Sequence, residues 1–153
     1  MSDEAGDYED FFNAQNELEA LFARTLEGLL KGEGITVPQA FALKTLKEQG
    51  AACKMSDLAA MRFQSPASMT GIVDRLIHLG LVERKSDAHD RRVILLSLTS
   101  KGEATLSRAE LKVQTMMKRF FEGIPAADHA VVMRMFEKLK KFLKEELISH
   151  KRD

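Results

Sequence analysis

The chain has 153 residues, of which 44% are hydrophobic and 30% are charged, and Cys53 is its single cysteine. This composition predicts a globular domain with a real core, and one cysteine excludes both an internal disulfide framework and a multi-cysteine zinc site. No apolar run has the length of a membrane span, and the acidic N-terminus lacks the features of a signal peptide, so we expect a cytoplasmic protein with no membrane partner.

The net charge is zero, but the charges are unevenly distributed. Residues 1–33 carry nine acids and two bases, whereas residues 34–153 carry 14 acids and 21 bases. A local basic surface that approaches nucleic acid can therefore exist on a chain that is neutral overall.

The first two predicted elements are helices. Apolar residues at three- and four-residue spacings predict a long amphipathic helix from about Tyr8 to Lys31. A second helix is predicted to begin after Thr36, an N-cap that forms a capping box with Gln39, and to run to about Glu48.

The next two predicted helices are short and close together. Ser56 is predicted to cap the third helix, which reaches about Phe63, and Ser65 is predicted to cap the fourth. Pro66 occupies the first position of the fourth helix, which ends near Leu79. Two short helices joined by a tight turn are the pattern of a helix-turn-helix.

The rest of the chain is predicted to form a β-hairpin and two further helices. The hairpin strands are residues 81–85 and 93–98, joined by a polar loop. Ser100 and Glu103 predict a capping box at the start of the fifth helix, which reaches about Phe121. The last helix, about residues 127–149, has a long apolar stripe that needs a partner surface on the fifth helix, on a second copy of the chain, or on both.

The fourth helix is the most informative element. Its predicted buried stripe consists of Met69, Ile72, Val73, Leu76 and Leu79. The opposite face is unusually small near its N-terminus, where it carries Ala67, Ser68, Thr70 and Gly71. Such a face can enter a major groove closely, and its hydroxyls can bind bases or phosphates; composition alone equally allows a face packed on another helix.

The hairpin loop favours the first of these interpretations. Arg91 and Arg92 lie beside Asp90, so an arginine at the tip can enter a minor groove while a carboxylate fixes its rotamer. Taken alone, this loop is better explained as a solvated turn with a surface ion pair. A preceding helix-turn-helix at the right distance favours DNA binding.

Several sequence blocks together carry a family resemblance. They are Met55–Ala59, Asp74–Leu76, Gly80–Arg84, Asp87–Arg92 and Leu96–Gly102. In order and spacing they resemble the winged helix-turn-helix of the MarR family of bacterial regulators, and the resemblance extends over essentially the whole chain.

The resemblance implies a role for each candidate residue. The fourth helix becomes the recognition helix, Arg92 the minor-groove residue and Asp90 the residue that positions it, while Arg75 and Arg84 contact the DNA backbone or support the wing. The complete predicted set of DNA-binding residues is Ser65, Ala67, Ser68, Thr70, Gly71, Arg75, Arg84, Asp90, Arg91 and Arg92.

The resemblance also implies an architecture. It predicts a mainly α fold in one domain, with a small β-hairpin wing, a DNA-binding lobe at about 36–99 and dimerisation helices at about 8–31 and 100–149. The protein is then a homodimer that binds a pseudo-palindromic operator in double-stranded DNA. Many relatives are repressors that respond to a small anionic or aromatic effector, for which the sequence assigns no binding residues.

Other functions have weaker support in the sequence. A ligand-independent regulator or an activator of the same fold remains open, as does a helical protein-interaction module. No catalytic motif is visible, so no enzyme and no cofactor are expected. The four histidines lack metal-ligand spacing, although a zinc role for His129 is not excluded, and Cys53 is better explained as an inert core residue than as a redox sensor.

Overall fold

The computed structural model describes residues 4–50, 52–61, 65–87, 90 and 93–149. Their elements are α1 (Glu4–Lys31), α2 (Val37–Gln49), β1 (Cys53–Lys54), α3 (Met55–Met61), α4 (Pro66–His78), β2 (Val82–Ser86), β3 (Ile94–Leu98), α5 (Ser100–Glu122) and α6 (Ala126–Ser149). This confirms the mainly helical fold with a β-hairpin. No helix within these residues is long and apolar enough to cross a membrane.

The chain divides into two compact units, residues 1–113 and 114–153. In the first unit, α2, α3 and α4 pack with the sheet, the end of α1 and the start of α5 around one core. Its most deeply buried side chains are Leu43, Leu46, Leu58, Met69, Val73, Leu76, Leu96 and Leu106. The second unit contains α6, none of whose residues 126–149 is buried.

The sheet has three antiparallel strands in the order β1-β3-β2. Leu96 lies at its centre and is paired with Cys53 on one side and Arg84 on the other. Cys53 is buried in its short strand as expected, and this burial, together with the nearby Asp57 carboxylate, raises the pKa of its thiol. A thiol held protonated in this way suits a core residue.

The N-terminal residues of the helices show which boundaries depend on neighbouring residues and which depend on distant ones. The capping residues of α2 are confirmed, because the Thr36 N–H donates to Gln39 Oε1 at 2.9 Å. Ser56 is not the cap of α3, because β1 runs directly into that helix, which begins at Met55. The Ser56 hydroxyl instead donates to Asp57 Oδ1 within the first turn, and the predicted end at Phe63 lies outside the described residues.

The predicted capping box of α5 is wrong. Ser100 is already helical, and the cap is Thr99, whose Oγ1 accepts a hydrogen bond from the Gly102 N–H at 3.0 Å. The reason is tertiary: the same hydroxyl donates to the carbonyl of Gly80 at 2.7 Å, which anchors Thr99 in the capping position. At the other end of the chain, α1 begins at Glu4, before the predicted Tyr8.

Candidate nucleic-acid interface

Local sequence signals set both ends of α4. Ser65 Oγ accepts a hydrogen bond from the Ser68 N–H at 3.2 Å, so the predicted cap is confirmed. The helix ends at His78, and two residues later Gly80 has a φ of 71°, a left-handed conformation that glycine adopts without strain. The Leu81 N–H donates to the Leu76 carbonyl at 2.9 Å. This is a Schellman motif, which turns the chain from the helix into β2.

One side of α4 packs on the core. Met69, Val73 and Leu76 are buried and Ile72 is half-buried, as the spacing predicts. Leu79 is the exception, because it follows the last helical turn and its side chain is exposed.

The opposite side of α4 is open to solvent. The predicted reading residues on it are all exposed, namely Ala67, Ser68, Thr70, Gly71 and Arg75. A Cβ added to Gly71 meets no atom of the described chain within 4 Å. The alternative in which this small face packs on another helix of the same chain therefore has no support in the described residues.

The C-terminal end of α4 is attached to the start of α5. The Thr99 N–H donates to the Leu81 carbonyl at 3.1 Å, and Lys101 Nζ donates to the Leu79 carbonyl at 2.8 Å. Gly102 allows this approach, because a Cβ added there lies 2.0 Å from the Leu81 carbonyl oxygen. These bonds satisfy carbonyls that a helix end would otherwise leave without partners.

The two predicted arginines beside α4 have different surroundings. Arg84 on β2 donates to Asp74 of α4, with 2.6 Å between Arg84 Nη2 and Asp74 Oδ1. Arg75, the next residue on α4, is exposed and has no ion-pair partner among the described residues. An open cleft of about 510 Å³ adjoins Arg75. It is lined by Gly34, Thr36, Gln39, Asp74, Arg75, His78 and Leu79.

The hairpin is closed by backbone bonds near its tip. The Asp87 N–H donates to the Val93 carbonyl at 3.0 Å, and the Val93 N–H donates to the Asp90 carbonyl at 2.9 Å. The Asp90 N–H donates to Asp87 Oδ1, also at 2.9 Å. Asp90 is exposed, whereas Arg91 and Arg92 lie outside the described residues, so their place at the tip stays a prediction.

An ion-pair cluster around Glu33 was missed by the sequence reasoning. The Glu33 side chain, between α1 and α2, is only 7% exposed and lies 2.7 Å from both Arg108 Nε and Lys112 Nζ of α5. Hydrogen bonds from Lys112 and Arg108 lower the pKa of the Glu33 carboxyl. No local signal identifies these partners, which lie more than 70 residues along the chain.

His129 has a structural role in the second unit. Its Nε2 lies 3.0 Å from the carbonyl oxygens of both Phe121 and Ile124. A ring nitrogen that faces two acceptors carries the proton, and it therefore ends α5 as a donor rather than binding a metal through that atom.

The chain is similar to known regulators over this region and beyond it. A sequence model described as the MarR family matches residues 33–93. The HTH-type transcriptional repressor MdtR of Bacillus subtilis is 33% identical over 109 residues, which are 69% of this chain and 70% of MdtR.

Solved structures show the same fold. The structure of a MarR family protein from Bacillus stearothermophilus has a TM-score of 0.81 at 24% identity, covering 94% of this chain and 99% of that one. The crystal structure of CouR from Rhodococcus jostii RHA1 bound to p-coumaroyl-CoA has a TM-score of 0.74 at 27% identity, covering 88% and 92%. These likenesses confirm a winged helix-turn-helix.

Proposed function

The chain belongs to the MarR family of DNA-binding transcriptional regulators, and from that premise we propose that it is a repressor that binds a pseudo-palindromic operator as a homodimer. In this proposal α4 lies in the major groove and the β2–β3 hairpin reaches the adjacent minor groove. MdtR is a transcriptional repressor, and we expect this chain to act in the same way, in the cytoplasm and without catalysis.

The exposed small-residue face of α4 is the observation that carries the proposal. A helix interior glycine lowers helix stability by about 1 kcal/mol relative to alanine. Gly71 has open space around it, so no contact within the described chain requires this glycine. A close approach to DNA supplies the missing reason. Ser68 and Thr70 then face bases or phosphates, and Ser65 holds the N-terminus of α4, which favours a phosphate.

The homodimer is supported by apolar surface on the helices that flank the DNA-binding elements. In α1 the exposed apolar side chains are Tyr8, Phe11, Phe12, Leu18, Leu21 and Phe22. In α6 they are Val131, Met133, Met135, Phe136, Leu139, Phe142, Leu143, Leu147 and Ile148. Monomeric soluble proteins rarely expose apolar surface in such long rows, so a second copy of the chain is the expected cover.

We further propose that an effector relieves repression. CouR was solved with an anionic aromatic thioester bound, and a small anionic or aromatic compound is the corresponding class for this chain. The assay is operator release: a saturating effector is expected to lower operator affinity at least tenfold, whereas an unchanged affinity across this class removes the effector from the proposal.

Selection of random duplex DNA by the purified full-length protein, followed by sequencing, tests the central claim. We expect an inverted repeat whose half-sites lie one helical turn, about 34 Å, or a multiple apart. Failure to enrich any sequence refutes specific DNA binding.

Two charge-matched variants then test the position of the interface. Arg75→Gln is expected to weaken binding to all sequences and to lower the salt slope by about 2 per dimer, as for one lost phosphate contact in each protomer. Lys118→Gln removes an exposed cation from α5, in the second unit, where Lys118 Nζ lies 3.7 Å from Glu122 Oε1, and is expected to change neither quantity. Equal effects of the two variants would place the DNA elsewhere.

A further inference from the structure

Two neighbouring arginines at the proposed interface differ in whether they have an anionic partner. Arg75 and Arg84 are both exposed, but within the part of the chain that the structure describes only Arg84 forms an ion pair, with Asp74 Oδ1 at 2.6 Å. Both side chains of that pair are about half exposed, and surface pairs of this kind contribute only about 0–1 kcal/mol to stability. Fold stability is therefore a poor reason for placing a carboxylate on the exposed face of α4.

A carboxylate on this face has a clear electrostatic consequence. When Arg75 contacts a phosphate, it gains a partner and releases a counterion from the DNA. When Arg84 does so, it exchanges one anion for another and leaves the Asp74 carboxylate unpaired beside the phosphates. The second exchange contributes much less binding free energy. Asp74 therefore reduces by one the number of cations that can bind DNA when the protein contacts only the phosphate backbone.

The pair also fixes two reading elements relative to each other. Asp74 belongs to α4, and Arg84 belongs to β2, where it pairs in register with Leu96 of the hairpin. A short charged hydrogen bond between them restricts the angle at which the hairpin leaves α4. A fixed angle favours binding only in the specific complex, where α4 contacts the major groove and the hairpin contacts the minor groove at the same time.

On these grounds we propose that Asp74 is a specificity-determining residue that acts through Arg84: it lowers affinity for non-operator DNA and holds the hairpin in the geometry of the operator complex. This inference rests on the proposed function, because it presupposes that α4 and the hairpin bind DNA. It assigns Asp74 a positioning role rather than a base contact.

The test compares wild type, Asp74→Asn, Arg84→Gln and the double variant on the selected operator and on a non-operator duplex of equal length, between about 50 and 300 mM salt. Asp74→Asn is expected to tighten non-operator binding roughly three- to tenfold and to steepen its salt slope by about 1.8 per dimer, the value for one added phosphate contact in each protomer. Operator affinity is expected to gain less, so the ratio of the two affinities falls. The double variant is expected to lose the added slope.

Asp57→Asn is the matched control, because Asp57 is an exposed acid on α3 that forms no ion pair with a described base. Its salt slope is expected to change by much less than about 1.8. An unchanged slope in Asp74→Asn, or a steeper slope that persists without Arg84, overturns the inference while leaving DNA binding intact. Loss of operator binding with a new preferred base at one position also overturns it, because Asp74 would then read a base. If wild type binds no duplex, the proposed function itself fails and this inference fails with it.

Discussion

Replacing Gly71 by alanine separates the demands of folding from those of DNA binding. Gly71 lies inside α4, and a Cβ added there meets no described atom within 4 Å. Alanine is favoured over glycine in a helix interior by about 1 kcal/mol. Gly71→Ala is therefore expected to raise the unfolding free energy by about that amount and the melting temperature by roughly 2–4 °C for a chain of this size.

The same methyl group is expected to harm DNA binding. If α4 lies in the major groove with Gly71 against the DNA, the added Cβ must push the helix away from the DNA. This displacement lengthens the proposed hydrogen bonds of Ser68 and Thr70 to bases or phosphates. Loss of one good base contact in each half-site corresponds to roughly 2–6 kcal/mol for the dimer, so operator affinity is expected to fall by about 30-fold or more. Fluorescence anisotropy with a labelled operator and calorimetry at a fixed protein concentration measure the two effects.

Gly28→Ala provides the matched control. Gly28 also lies within a helix, α1, is exposed, and has no described atom within 4 Å of an added Cβ. It is expected to stabilise the protein to a similar degree without weakening operator binding, provided that sedimentation shows an unchanged oligomeric state. A Gly71→Ala protein that is more stable and binds the operator as tightly as wild type would refute the reasoning, because the face of α4 would then not be pressed against DNA.

Three other substitutions test separate contacts. Gly102→Ala forces a methyl group into the Leu81 carbonyl oxygen and is expected to destabilise the fold by at least about 1–3 kcal/mol, seen as a lower urea midpoint. Glu33 has a lowered carboxyl pKa, so its stabilising effect is present above the unfolded-state pKa of about 4.3 and is lost as pH falls through the lower folded value. Glu33→Gln is expected to lower stability at neutral pH and to flatten the acid limb of a plot of urea midpoint against pH; an unchanged limb assigns acid sensitivity to other groups. Arg92→Ala is expected to weaken operator binding by roughly 1–3 kcal/mol in a titration, and unchanged affinity removes the hairpin tip from the mechanism.

The features that could be predicted from the sequence are those set by neighbours along the chain. Ser65 caps α4 because its hydroxyl reaches an N–H three residues away, and Gly80 ends that helix because only a few backbone bonds are involved. The exposed and buried sides of α4 follow in the same way from helical spacing, apart from Leu79 beyond its last turn.

The features that could not be predicted depend on distant partners. Thr99 replaces Ser100 as the cap of α5 because its hydroxyl bonds to Gly80, 19 residues away. Asp74 and Arg84 were both recognised as part of the motif, but their pairing requires the turn from α4 into β2 to be in place. Glu33 looked like one more acid of an acidic segment, because nothing near it in sequence indicates that two cations of α5 surround it.

Two of these distant contacts, those of Thr99 and Glu33, lie at the start or in the first half of α5. At its start, Thr99 and Gly102 lie against the backbone that leaves α4, so the two elements touch without flexible side chains between them. Two and three turns later, Arg108 and Lys112 hold Glu33 and with it the loop between α1 and α2. Close-packed backbone contacts do not deform gradually. A displacement of this part of α5 must therefore move the end of α4 or break the Thr99 and Lys101 bonds. Any effector that lowers DNA affinity through α5 either moves the end of α4 or breaks these bonds. Gly102→Ala changes the attachment of α5 to the end of α4, and Glu33→Gln changes its attachment to the loop between α1 and α2.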